Sequence, residues 1–150
     1  LVRYTQGEIP AAAAVAELYQ AAGLWRPIHD LDRLESMYRH SNLVLCAWVG
    51  ERLIGVSRAL TGFSYCYYLS DLAVHPDGQG QGIGRALIGQ TRPAAGPGSM
   101  LLLAAPGALT YYPRQGFDRV CNAFQLPRIW GWTSCPPKKK RPPHLRCLFF

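Results

Sequence analysis

The stretch "VHPDGQGQGIGRAL" (Val74–Leu87) sets glycines at positions 78, 80, 82 and 84, between an apolar run and the start of a helical pattern. A chain carrying it must place a strand, a turn of nearly bare backbone and a helix in immediate succession. That junction is a physical device for holding anions. Glycine removes the Cβ atoms that would keep main-chain N–H groups away from a phosphate. The first turn of the helix offers N–H groups without intrahelical partners, and the helix dipole adds roughly half a positive charge there. Successive inward-facing N–H groups then form a nest. The plainer alternative is a flexible surface turn, but four glycines in seven residues, fused to a strong strand and a strong helix, argue against it.

The flanking pattern is α/β. "VRYT" reads as a first strand, and Pro10 suits the first turn of a helix whose face carries Val15, Leu18, Tyr19 and Ala22 before Gly23 stops it. Asp30 or Asp32 can cap a second helix with Leu31, Leu34 and Tyr38 as its stripe and Glu35–Arg39 paired outward. "NLVLCAWV" and "LIGVSRAL" form a hairpin about Gly50–Arg52, and Tyr65–Val74 is a third long strand leading into the glycines. From Gly82 a helix presents Ile83, Ala86, Leu87 and Gln90 until "RPAAGPG" breaks it. "SMLLLAA" has the composition of a fully buried strand. A short helix around residues 108–114 follows, then "GFDRV" and "AFQLP" as final strands.

Charge separates the body from the end of the chain. The net charge of +7 resides almost wholly beyond Pro127, since residues 1–127 hold ten arginines, no lysine and nine acids. The expected organisation is therefore a domain over 1–127 and, over 128–150, a basic, proline-rich appendage that is disordered or non-native. With no folded basic face, no nucleic-acid partner is expected for the body. Five cysteines without a CxxC pair and four scattered histidines predict neither a disulfide scaffold nor a metal site. No run is long and apolar enough for a membrane span, and no signal-peptide pattern opens the chain, which together point to the cytoplasm. Beginning at Leu1, the sequence is expected to lack its original start.

The nature of the phosphate ligand narrows by exclusion. G-x-G-x-x-G fails in every register, because its third glycine would fall on Ile83, Arg85 or Leu87, and no acid occurs between Gly78 and Phe117 to hold a ribose. A phosphate loop ending in G-K-[ST] needs a lysine, and the body has none. "QGQGIG" instead resembles the coenzyme A signature Q/R-x-x-G-x-G/A of the GNAT N-acetyltransferases, with Gln79, Gly82 and Gly84 in place. "ALTYYPRQGF" is similar to a second motif of that family, A-x-x-x-Y-x-x-x-G-F, through Ala108, Tyr112, Gly116 and Phe117.

The resemblance spans about Val2 to Arg128 and implies a central, mostly antiparallel twisted sheet, splayed between its fourth and fifth strands and flanked by about four helices. It implies acetyl transfer from acetyl-CoA to a primary amine by direct attack in a ternary complex, without a metal. Leu72, Ala73 and Val74 would meet the pantetheine arm, and Gln79, Gly80, Gln81, Gly82, Ile83, Gly84 and Arg85 the pyrophosphate. A main-chain N–H near Leu72 would polarise the thioester carbonyl. Tyr112 would protonate the departing thiolate, with neighbouring Tyr111 the register alternative. Asp71 is the candidate general base, its spacing putting it on the face of Leu69 and Ala73 unless a bulge turns the strand; the alternatives are a solvated or hydrogen-bonded strand acid and a water-relayed base. Trp25 would wall the acceptor pocket or cap the core.

The sequence departs from the family pattern twice: Gly78 stands where relatives often carry an aromatic, implying a looser cradle entrance, and Ala105 where many carry an asparagine. Two other functions stay open: an acyl-CoA-binding sensor of the same fold that does not turn over, and a nuclear-import or nucleic-acid-binding role for "PPKKKRPP". A small-molecule or protein amine fits as acceptor, and a homodimer is an open option.

Overall fold

The run "NLVLCAWV" has no polar alternation because its strand is buried on both faces. It forms β2 (Leu43–Val49), sending Val44, Cys46 and Trp48 to one side and Leu43, Leu45 and Ala47 to the other. The computed structural model describes residues 1–126, so the appendage expected over 128–150 lies outside the described residues. Residues Leu1–Leu103 form one unit and a second begins at Ala104.

In the first unit β1 (Arg3–Gln6), β2, β3 (Arg52–Thr61), β4 (Cys66–Val74) and β5 (Ser99–Leu101) lie side by side in chain order. All neighbours are antiparallel except the β4–β5 pair. This is the expected mixed α/β sheet. Two helices, α1 (Ala12–Ala22) and α2 (Leu31–Arg39), cover one face with Val15, Leu18, Tyr19, Leu34 and Tyr38. The opposite face is covered by α3 (Ile83–Ala95), through Ile83, Leu87 and Ala95. Gly55 lets α3 come close, since a Cβ there would sit 3.1 Å from both Ile83 and Leu87.

Local chemistry sets the helix ends. Asp30 caps α2 by accepting from the Arg33 N–H at 3.0 Å, and Glu35–Arg39 closes at 2.6 Å. Gly23 ends α1 at φ 68°, where a side chain would be strained. Pro10, expected within the first turn, instead precedes the Ala11 cap. Leu31 and Gln90, expected on apolar stripes, are exposed. α3 ends within "RPAAGPG", as expected: Pro93 sits in its last turn, where one helical bond is forfeited, and the helix stops at Gly96.

"SMLLLAA" departs from expectation. Met100 and Leu102 pack on the α3 side, but Leu101 and Leu103 are exposed on the other, and pairing with β4 ends at Tyr68–Leu101. β4 continues to Val74 without a ladder partner on that side among the described residues, which is the predicted splay. In the second unit, a 3₁₀ turn (Pro106–Ala108) and α4 (Tyr111–Arg114) appear where a helix was expected. The strands expected in "GFDRV" and "AFQLP" do not form among the described residues, and Phe124 and Leu126 are almost fully exposed. Among the described residues no helix is long and apolar enough to cross a membrane.

The β3–β4 turn is locked against the loop before β5. Ser99 N–H donates to the Tyr65 carbonyl at 3.0 Å, and a Cβ on Gly98 would lie 2.4 Å from that same carbonyl. Gly98→Ala is therefore expected to lower stability by about 1–3 kcal/mol in urea titrations. Gly89→Ala, in open space within α3, is expected to raise it by roughly 0.5–1 kcal/mol.

Candidate active site

The glycine segment leaves β4 through His75, passes a 3₁₀ turn (Pro76–Gly78) and enters α3. Gly80 and Gly82 hold φ of 76° and 80° with open space where a Cβ would be, so bare backbone is needed for conformation as well as access. Two glutamine side chains brace the loop: Gln79 Nε2 donates to the Val74 carbonyl at 3.0 Å, and Gln81 Nε2 to that of Asp77 at 2.8 Å. The first N–H of the helix to find a backbone acceptor is that of Ala86, on Gly82. Among the hydrogen bonds of the described residues, none is donated by the main-chain N–H of Gly80 through Arg85. No acid occupies the first turn of α3, and exposed Arg85 stands there against the helix dipole, an arrangement that an anion would relieve. Free main-chain donors at a helix start suit an anion.

Beside it, the free edge of β4 supplies main-chain groups. His75 N–H donates to Ile54 O, so alternation along the antiparallel β3–β4 ladder turns the N–H and C=O of Leu72 and Val74 toward the splay. The same alternation commits Ala73 to β3, and its side chain lies in the α1–α2 core. Gln79 spends its N–H on Pro76 O. The main-chain donors of Ala73 and Gln79 are thus already bonded within the protein, whereas those from Gly80 onward are not. Gly78 does not loosen the entrance: it is buried, and a Cβ there would come within 2.9 Å of Ile83 Cδ1.

Asp71 receives a different role from the one expected. The β3–β4 register slips between Arg58 and Ala59, leaving Ser70 as a bulge and turning Asp71 away from the face of Leu69 onto the α1–α2 face. There its carboxylate is fully buried between two guanidiniums: Oδ1 meets Arg26 Nε and Oδ2 meets Arg58 Nε, each at 2.5 Å. Tyr19 Oη donates to Oδ2 at 2.8 Å and lies 2.6 Å from the Tyr38 hydroxyl. Burial alone would raise the Asp71 pKa, but the charges of Arg26 and Arg58, with hydrogen bonds from Arg58 and Tyr19, hold it below the ordinary value. A carboxylate so saturated, and so reluctant to take a proton, argues against the general-base role. Desolvation and the Asp71 charge push Tyr19 well above an ordinary phenol, so it too keeps its proton.

Trp25 is 61% exposed, which removes the core-cap alternative. In the second unit Tyr112 lies in α4, its ring edge-on to Tyr111 and Phe117 at centroid distances of 5.3 and 5.4 Å. Gly116, at φ 86°, and Phe117 close the end of that helix, with Phe117 N–H on the Tyr112 carbonyl. The signal missed in the sequence was the pairing of Arg26 and Arg58 with Asp71. Arg58 interrupts a strand that is otherwise buried throughout its middle, and a buried arginine requires a buried acid.

Residues 13–130 match the family model of the Acetyltransferase (GNAT) domain. The chain belongs to the GNAT acetyltransferase family. A GNAT chain of this kind is 29% identical over 110 residues to an uncharacterized N-acetyltransferase, ycf52, of Porphyra purpurea, covering 65% of this chain and 63% of the relative. The ycf52 protein of Pyropia yezoensis is 33% identical over 86 residues, 52% of this chain and 49% of the relative. The GNAT chain thus spans 63% and 49% of the length of these two relatives. Its fold is also that of a Staphylococcus aureus protein of unknown function (TM-score 0.72, 21% identity, 86% of this chain and 98% of that one). A GNAT acetyltransferase from Streptococcus pneumoniae gives a TM-score of 0.68 at 24% identity, over 87% and 97% of the two chains.

Asp71→Asn is expected to cost about 3–5 kcal/mol at neutral pH, because two guanidiniums lose their counter-charge. A depressed carboxylate pKa contributes stability above its unfolded value of about 3.9 and forfeits it as pH falls through the lower folded value. Urea titrations at descending pH should therefore show the gap between wild type and variant closing below about pH 4.

Proposed function

We propose that this protein transfers an acetyl group from acetyl-CoA to a primary amine, carried by a small molecule or a protein, by direct attack in a ternary complex. The observation that carries the reading is the run of six uncommitted N–H groups from Gly80 to Arg85, adjoining the unpaired edge of β4 at Leu72 and Val74. When bound, acetyl-CoA supplies an acyl thioester open to attack by an amine.

The residues then divide the work. Gly80, Gln81, Gly82, Ile83, Gly84 and Arg85 hold the diphosphate by main-chain N–H groups. The Leu72 and Val74 main chain takes the pantetheine amides, and the Leu72 N–H donates to the carbonyl oxygen, favouring charge as it develops there. Tyr112 Oη supplies the proton that the departing sulfur requires, acting as a general acid. Trp25 borders the acceptor. A lysine-like amine is neutral in only about one molecule in two thousand at pH 7, so deprotonation costs roughly 4–5 kcal/mol. With Asp71 committed to Arg26 and Arg58, that proton leaves through water.

Thermal unfolding with acetyl-CoA, CoA and NAD is expected to shift with both CoA forms and not with NAD. Gly82→Val, strained at φ 80°, should abolish the shift. In an amine screen that follows thiol release, Tyr112→Phe should lower turnover by about 10²–10⁴-fold while leaving the CoA shift intact. CoA binding without thiol release for any amine would turn the reading toward a non-catalytic acyl-CoA sensor.

A further inference from the structure

We infer that Arg26, Asp71 and Arg58 form a positioning clamp that sets the β4 bulge for catalysis and latches the α1–α2 loop, with Trp25, onto that bulge. The inference rests on the proposed acetyl transfer, because the bulge residue Ser70 lies two positions before Leu72, the proposed carbonyl donor.

Both guanidiniums grip the same short piece of backbone. Arg58 comes from β3: its Nε binds Asp71, one terminal nitrogen reaches Ser70 Oγ at 2.7 Å, and the other reaches Ser41 Oγ at 2.9 Å. Arg26 comes from the loop between α1 and α2: its Nε binds Asp71, and one terminal nitrogen donates to the Ser70 carbonyl at 2.8 Å. Its other terminal nitrogen donates to the Trp25 carbonyl at 2.7 Å, tying the loop's own backbone into the knot. The bulge is therefore held at its side chain by one arginine and at its carbonyl by the other, with Asp71 as the shared counter-charge. Ser70 itself has no ladder partner, so these contacts hold it directly, one residue before the Asp71–Arg58 pair from which the ladder resumes toward Leu72.

The two arms differ in burial, and that difference makes the clamp testable. Arg58 is enclosed, with a 7% exposed side chain stacked 5.7 Å from the Tyr38 ring, and is part of the core. Arg26 is 15% exposed and reaches in from a loop, so it can be altered while Arg58, Tyr19 and Asp71 remain together. Arg26 is thus a positioning residue, acting through Ser70 and Trp25 rather than on the reacting atoms.

The test compares full-length wild type with Arg26→Gln and Arg26→Lys by amide hydrogen exchange, with and without CoA, and by steady-state kinetics. Arg26→Gln is expected to speed exchange at Ser70–Leu72 and in the 24–29 loop, without speeding it at Val44–Ala47. It should also cut kcat/KM for the acceptor about 10- to 100-fold, the scale of a misplacement near one ångström, with KM for acetyl-CoA within about twofold of wild type. Arg26→Lys, which keeps the charge on Asp71, should recover part of both effects. Unchanged exchange at Ser70–Leu72 in Arg26→Gln overturns the clamp. A uniform rise in exchange across the sheet, with acetyl-CoA and acceptor affected alike, also overturns it, because Arg26 would then serve only stability. If the wild type releases no thiol with any amine, the acetyl-transfer reading fails by that result, and exchange alone decides whether the clamp exists.

Discussion

A single carboxylate, buried between two arginines, fixes the side of the sheet on which the chemistry is proposed. Asp71 joins β4, β3, the α1–α2 loop and, through Tyr19 and Tyr38, both helices of that layer. A buried ion pair is a poor source of net stability, since desolvation consumes much of the attraction. Its value lies in direction. Hydrophobic contacts fix the register of β4 but would tolerate a rotation of the loop, whereas two guanidiniums with fixed donor geometry do not.

That constraint works together with the splay. β5 leaves β4 after three paired residues, so half of β4 keeps main-chain groups that a continuous sheet would have consumed. Unpaired strand edges usually invite aggregation. Here the free edge runs directly into the glycine cradle, and the two form one strip of main-chain donors and acceptors from Leu72 to Arg85, with its internal bonds confined to the His75–Gln79 turn and the two glutamine braces. A long ligand with amides at one end and a diphosphate at the other matches such a strip. The surface is built from backbone, which explains why so few side chains in it have a chemistry of their own.

The Asp71 environment also bears on how the proposed reaction handles the amine proton. A residue type suited to base catalysis stands near the proposed reaction centre, yet its charge is already matched, and exceeded, by its partners. Two cations against one anion leave the cluster net positive, a field that disfavours an ammonium and favours a neutral amine nearby. In the proposed transfer, water takes that proton.

Much of this was legible in the residues. The glycine spacing announced a main-chain cradle, the periodicities of Val15–Tyr19 and Ile83–Leu87 announced helices, and the splayed antiparallel sheet followed from the family resemblance. These features depend on neighbours within a few positions, where φ/ψ preference and side-chain period act directly. Three things were not legible, each because it depends on residues far apart in the chain. The Ser70 bulge turned Asp71 to the other face, a shift of one residue that inverts everything an alternation pattern says. The exposed side of Leu101 and Leu103 was not readable from their apolar letters, because burial depends on which distant elements cover a face. The fate of Asp71 was settled by Arg26 and Arg58, 45 and 13 positions away, because a buried charge takes its character from whatever the fold places against it.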